Sequence, residues 1–366
     1  MKIRVIRAAD TATGQPILAK VSEDRYQTIY AGFARIKDTL FDGTSFKAIT
    51  GRAMQTQDAQ EALVFLVSQL TYEETELQAR YYQPMQYKDF VPISYAAGPY
   101  VDSITYYVYD KVAKAQFTSA ASNAIEYSDV GIAQKTFGVH NATAGYRYTQ
   151  DELRKSAYLK RPLPELRMAT AMEAFERLTN EVMLLGNTAK NLTGLYNNAS
   201  VSHATTPSTK KWDGSDATPI TFLQLNSDFN FGLYTAWVAS GYNVVPNSVV
   251  IPAGAYQYMA TTPASTSIPD QTILDFVSVH NLYTQKYKRP LFIDSGYDLA
   301  TAGSGNTGRT VFYDKNPTTL VGHIPMPLTF LAPQYDGIEV KIPGEGKLSG
   351  VEVKRVTNMY YMDGIV

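Results

Sequence analysis

One stretch must run as an unbroken helix for about twenty residues, and it constrains this chain more than any other. Between Pro164 and Leu185, PELRMATAMEAFERLTNEVMLL, the apolar residues Ala171, Phe175, Leu178, Val182 and Leu185 recur at alternating steps of four and three. That spacing places them on one stripe of an α-helix, and Phe175, Leu178, Val182 and Leu185 are the expected core. The other face carries Glu173, Glu176, Arg177, Asn180 and Glu181, with Glu173 and Arg177, then Arg177 and Glu181, four apart for ion pairing. Pro162 and Pro164 suit a helix start, where the missing N–H removes no helical bond. Gly186 suits the residue that ends one. Such a helix is roughly 33 Å long, enough to brace a flat, extended domain. A shorter helix, Thr149 to Leu159, precedes it, and Thr149 with Glu152 three residues on makes a capping box.

The order of segments around this helix is distinctive. A strand pair ends in AGYRYTQDELRKSA, then come PLPELRMATAMEAFERLTNEVMLLGN and the turn NLTGLYNN. FLVSQLTYEETELQARYYQPM lies upstream and TNMYYMDGIV closes the chain. This order, from about Ala59 onward, resembles the major capsid proteins of tailed bacteriophages with the Hong Kong ninety-seven-type fold. It resembles most the branch known simply as the major capsid family. There a G-x-x-G-L-x-N turn follows the helix, met here as Gly194, Leu195 and Asn197 at a longer spacing from Gly186. No single motif is diagnostic, because a shell has no chemistry to fix residues. The resemblance implies an α+β fold with an N-terminal arm and helix (1–98), a two-stranded E-loop (99–148) and a peripheral domain holding the spine helix (149–218). An axial domain (219–322) and C-terminal strands returning to the peripheral domain (323–366) complete it.

A chain of 366 residues is long for one compact domain, so subdomains are expected. Its net charge of −1, from 33 basic against 34 acidic residues, excludes a dedicated nucleic-acid binder. It is compatible with a wall that encloses double-stranded DNA without sequence-specific binding. Zero cysteines exclude disulfides and thiolate metal sites. No apolar run approaches ~18 residues, and MKIRVIRAAD lacks a signal-peptide core, so no membrane association and a soluble cytoplasmic product are expected, which for the resembling family means the cytoplasm of the host bacterium. The 27 tyrosines favour strands and protein interfaces.

Along the chain, IRVI and PILAKV are predicted strands and TIYAGFARIKDTLF a short helix. The resemblance makes this region an elaborated arm lying on a neighbouring subunit. Asp58 to Arg80 is a predicted helix, and Pro84 and Pro92 hold the following chain extended. Tyr100 to Val112 and Ile132 to Tyr148 are predicted strands, with a small, polar stretch between them. A two-stranded arm is marginal in isolation. The resemblance implies that it packs on the adjacent subunit, with Asp110, Lys111, Lys114, Glu126 and Asp129 presenting charge there. An ordinary solvated hairpin is the alternative. Asn198 to Pro219 is a Ser/Thr/Pro-rich connector. Beyond it, a helix over Ile220 to Ser240, the strand NVVPNSVVIP and the helix AGAYQYMATT precede a helix beginning after Pro269. The strands RPLFIDSGYDL and RTVFYDKN complete an α/β subdomain with a small sheet. HIPMPLTFLAP, IEVKIPG, GVEVKRVT and MYYMDGI are predicted strands returning to the spine.

Chemistry is sparse. Gly303 to Gly308 matches G-x-G-x-x-G, but a strand-like segment follows where a dinucleotide site needs a helix, so a hairpin turn is expected. His140, His203, His280 and His323 are scattered without metal-ligand spacing. No catalytic, cofactor-binding or metal-binding residue is predicted. Some relatives cross-link an E-loop lysine to a neighbour's asparagine. Lys111 or Lys114 and Asn316 or Asn358 are available for it but do not align with that motif. The resemblance implies a non-enzymatic virion subunit that assembles with itself into pentamers and hexamers of an icosahedral head, alongside portal, scaffold and decoration proteins. A nanocompartment shell of the encapsulin type shares the fold and is the nearest alternative; an α/β enzyme is the alternative of another class. The full chain is expected to persist in the shell without a removable N-terminal domain.

Overall fold

The computed structural model describes residues 3–9, 16–22, 82–112, 117, 127, 129–158, 163–265 and 268–366. The chain divides into two compact units, Met1–Tyr82 and Gln83–Val366. In the first, β1 (Ile3–Ala9) and β2 (Pro16–Ser22) pair antiparallel from Ile3 with Ser22 to Ala9 with Pro16. The helices expected in TIYAGFARIKDTLF and over Asp58 to Arg80 lie outside the described residues.

The second unit opens on α1 (Tyr87–Phe90), a turn of helix between the two prolines where the sequence suggested only extended chain. A long-range bond explains it. The Asn180 side-chain oxygen accepts from the backbone N–H groups of Gln86 and Tyr87, at 2.9 and 3.1 Å, meeting donors that a helix start leaves free. After β3 (Ile93–Ser94), β4 (Ser103–Val112) and β5 (Asp129–Gly138) form an antiparallel ribbon in register from Ser103 with Gly138 to Val112 with Asp129. The second predicted strand is in fact three. It continues as β6 (His140–Thr143) and β7 (Tyr146–Thr149), which leave the ribbon to join other sheets.

Next come α2 (Gln150–Tyr158) and the spine helix α3 (Leu163–Leu184). The predicted capping box is formed. Glu152 N–H donates to the Thr149 hydroxyl at 3.2 Å, and Thr149 N–H to the Glu152 carboxylate at 3.0 Å. The spine buries Ala171, Phe175, Thr179, Val182, Met183 and Leu184. Phe175 and Val182 are therefore core, as expected, but Leu178 is 36% exposed and Leu185 only half-buried. The stripe is rotated by about 50°, half a residue step, toward Thr179. Thr179 tolerates burial because its hydroxyl donates back to the Phe175 carbonyl at 2.8 Å.

The turn after the spine closes the helix end. Gly186 has φ +75°, and a Cβ there would lie 2.6 Å from the Leu192 carbonyl oxygen, so only glycine fits. Gly194 abuts it, and the chain folds back so that Leu195 and Tyr196 N–H donate to the Met183 and Leu184 carbonyls at 2.9 and 2.8 Å. Those are carbonyls a helix otherwise leaves unpaired at its end.

The remaining elements are β8 (His203–Thr205), α4 (Phe222–Ala239), β9 (Ser248–Pro252), α5 (Ala253–Thr261), β10 (Pro263–Ser265), β11 (Ile268–Thr272), α6 (Ile273–Val279), α7 (Leu282–Tyr287), β12 (Phe292–Gly296), β13 (Arg309–Tyr313), β14 (Leu320–His323), β15 (Met326–Phe330), β16 (Gln334–Asp336), β17 (Glu339–Ile342), β18 (Gly344–Leu348), β19 (Val351–Val353) and β20 (Met359–Asp363). The single helix expected after Pro269 is thus a strand and two short helices. Thr272 caps α6 by accepting the Asp275 N–H, and Asn281 breaks the run by capping α7 through the Thr284 N–H.

Five strands form one mixed sheet in the order β12-β9-β13-β20-β8. Its two faces belong to different cores. Val250, Val311, Tyr313, Met359 and Tyr361 pack with Phe175, Met183 and Leu184 of the spine. Their neighbours Val249, Ile251, Phe312, Tyr360 and Met362 pack with α4 and α5 through Leu225, Phe229, Leu233 and Met259. Alternation along each strand assigns side chains to the two faces, and burial of both explains why β9, β13 and β20 read as continuous apolar runs. The segment MYYMDGI accordingly enters this sheet, where it was expected simply to return to the spine. The other C-terminal strands do return. β14, β18 and β19 line the spine, where Gly346 makes room for the Phe175 ring.

Candidate assembly surfaces

The ribbon β4–β5 pairs with no other strand among the described residues. Its base is rooted. Lys347 reaches Asp102 at 3.0 Å and the Ser349 hydroxyl donates to the Gly138 carbonyl at 3.0 Å, while within the ribbon Tyr106 stacks on Phe137 with centroids 6.0 Å apart. Farther out the ribbon is bare. Register and pleat put Tyr107, Tyr109, Ile132 and Val130 on one face. Tyr107, Tyr109 and Ile132 are 65%, 63% and 71% exposed. Of the charged residues expected here, Lys111 is exposed with its ammonium 5.5 Å from the Tyr109 ring centroid, and Asp129 is exposed and accepts the Val130 N–H. The Asp110 side chain and residues Lys114 and Glu126 lie outside the described positions. The sequence located the ribbon but missed the aromatic and aliphatic face, which needs the register of both strands to see.

A second exposed knob is the β16–β17 hairpin, where Tyr335 and Ile338 flank the Gly337 turn. Its sides carry the Lys341–Asp336 and Arg147–Glu339 ion pairs. Surface pairs of this kind contribute about 0–1 kcal/mol.

Buried acid–base pairs occur at two places among the described residues, while the buried Asp228 and Asp314 are held by neutral donors, Ser208 for the first and Thr319 and Asn247 for the second. Arg309 forms a two-pronged pair with Asp363 across β13 and β20, donates to the Tyr196 carbonyl at 2.7 Å and lies 4.6 Å from the Tyr361 ring centroid. Burial pushes the Asp363 carboxyl up, but the Arg309 and Ser304 hydrogen bonds outweigh it and hold the group below its ordinary value. A cleft of about 260 Å³ opens beside this pair, lined by Asn198, His203, Ser304 and Tyr361. The guanidinium is already engaged by protein oxygens, so it is not presented to a ligand. In the other place, His323 on β14 meets Glu352 on β19, both buried. Sequence reading missed this pair because the two residues are far apart in the chain and neither belongs to a motif.

The motif-like residues are structural. Gly303 to Gly308 is a loop entering β13, with Gly303 N–H bonded to the Thr307 carbonyl and Ser304 N–H to Asp363. No helix follows it. Asn358 is buried on the Thr319 hydroxyl and is not displayed to a lysine, whereas Asn316 is exposed and its side-chain oxygen accepts from the Thr318 N–H. No group of three His, Asp or Glu side chains fit to hold a metal occurs among the described residues. Among them too, no helix is long and apolar enough to cross a membrane.

A family model described as major capsid protein matches residues 113–365. The chain belongs to the major capsid protein family. No curated protein matches it. Solved structures agree on the fold at low identity. The capsid of Myoviridae phage XM1 is 15% identical, with a TM-score of 0.68 over 86% of this chain and all of that one. A Gordonia phage Cozz structure is 12% identical with a TM-score of 0.55, covering 81% and 92%. The capsid of an empty GTA particle is 13% identical with a TM-score of 0.52, covering 85% and 99%. This capsid subunit therefore has the Hong Kong ninety-seven-type fold. Its role is structural.

Proposed function

We propose that the β4–β5 ribbon is the clamp that this capsid protein closes on an adjacent copy, in pentamers and hexamers of an icosahedral head around double-stranded DNA. The observation that carries the reading is the bare face of Tyr107, Tyr109, Val130 and Ile132 on a ribbon with no other described strand beside it. Two-stranded ribbons are marginal in water. Covering those side chains gains on the order of 1–2 kcal/mol each at about 25 cal/mol per Å², before the cost of association. Lys111 and Asp129 then fix the register of the contact more than its strength. The near-neutral chain suits a wall that holds DNA without gripping it. Assembly takes place in the host bacterial cytoplasm, with portal, scaffold and decoration proteins as further partners.

Replacing residues 107–134, which pair at their ends and include the whole bare face, by a short turn tests the clamp. The second unit should keep its fold, because the core is made elsewhere, while closed shells are lost. Normal shells from the shortened chain would refute it.

A further inference from the structure

The outward side of α4 is chemically unusual for a helix that faces water. Its only charged residue is Asp228, which is buried and accepts from the Ser208 hydroxyl. Leu225, Phe229, Leu233 and Ala236 pack inward on the five-stranded sheet. Directly opposite, Leu223, Phe231, Tyr234 and Val238 follow at steps of eight, three and four, a single outward stripe. Leu223 is 74% and Tyr234 48% exposed, and Tyr242 extends the stripe beyond the helix end. Apolar residues on two opposite sides of one helix are characteristic of a helix covered on both. No other described element lies over this one's outer side, since all four stripe residues remain exposed.

We infer that the outer stripe of α4 is a contact between two copies of this chain, separate from the ribbon contact and resting on the reading of the chain as a shell subunit. Its chemistry is that of an interface centre. Aromatic and aliphatic side chains occupy the middle, charge is absent, and polar groups stand at the edge. The edge here is Gln224, with Lys286 of α7 folded over Trp237 at 3.9 Å, while the small Ser227 sits between Leu223 and Phe231. Nucleic acid does not fit, because a DNA-facing helix carries lysine and arginine to meet phosphate. A copy of this chain does fit, since in a wall made of one repeated subunit the sides of each domain face further copies. A closed ring further requires two unlike patches on each subunit. The stripe spans roughly 22 Å at one helix width, roughly a quarter of the ~800 Å² that a standard partner contributes. It is sized as one of several contacts made by a many-neighboured subunit.

The chain has no cysteine, so single thiols report cleanly. Tyr234→Cys and Phe231→Cys should react with a small maleimide about ten-fold more slowly in assembled particles than in dissociated subunits, as side chains at an interface core do. Gln257→Cys, exposed on α5 of the same layer, is the comparison and should slow far less. Tyr234→Asp, with helix content unchanged by circular dichroism, should lose closed particles. Equal slowing at all three thiols would trace the protection to enclosure and overturn the inference. Unslowed thiols in closed particles, or normal assembly of Tyr234→Asp, would overturn it while leaving the shell reading intact. Failure of the unmodified chain to form particles would count against both.

Discussion

Thr179 turns the spine. By returning its hydroxyl to the Phe175 carbonyl it enters the core as though apolar, and Leu178 is displaced toward water. Periodicity alone scores threonine as polar, so the stripe was legible in Ala171, Phe175 and Val182 but misplaced at Leu178 and Leu185. Asn180 was read as a solvent-facing residue, yet it holds α1 from 93 residues away, which no local pattern reports. The orientation has a direct test. Phe175→Ala removes a ring packed on Gly346 and should cost about 3–5 kcal/mol. Leu178→Ala should cost well under half of that, since less apolar area returns to water. Urea midpoints of the two variants measure it, and equal losses would contradict the observed face.

At the scale of elements, the helix ends were the most legible part of the chain. The Thr149–Glu152 box and Gly186 were identified from residue type and spacing because capping is local chemistry. What sequence did not show is that Arg167 of the spine reaches both Glu152 oxygens at 3.1 Å, joining α2 to α3. The Arg167 hydrogen bonds, with the Thr149 N–H, hold the Glu152 carboxyl down at about 2, against an ordinary value of about 4.3. A depressed carboxyl stabilises the fold fully above its unfolded pKa and loses that contribution as pH falls through the folded one. The clamp is therefore complete above about pH 4.3 and gone below about pH 2. Glu152→Gln should lower the denaturation midpoint at pH 7, and the gap from the unmodified chain should close as the pH approaches 2. A gap that persists unchanged at acid pH would contradict the clamp. The ribbon β4–β5 was legible as strands for the same local reason, while the departure of β6 and β7 to other sheets was not. Their partners, β18 and β17, lie some two hundred residues later.

At the scale of the molecule, the five-stranded sheet joins what the sequence divided. A boundary at Asn198–Pro219 and a return to the spine after Gly322 follow from composition and order, but β8 and β20 come from outside that span and complete the sheet. The C-terminal strand is thus buried between the spine core and the α4 core. On the proposed reading, a subunit with a bare ribbon at one place and a bare helix stripe at another is stabilised by contacts repeated around a closed shell. The most direct measurement is electron microscopy of the purified full-length chain. The account predicts closed particles of uniform diameter built from rings of the subunit. A chain that stays monomeric across concentration and ionic strength, with no closed particles in any field, would contradict it.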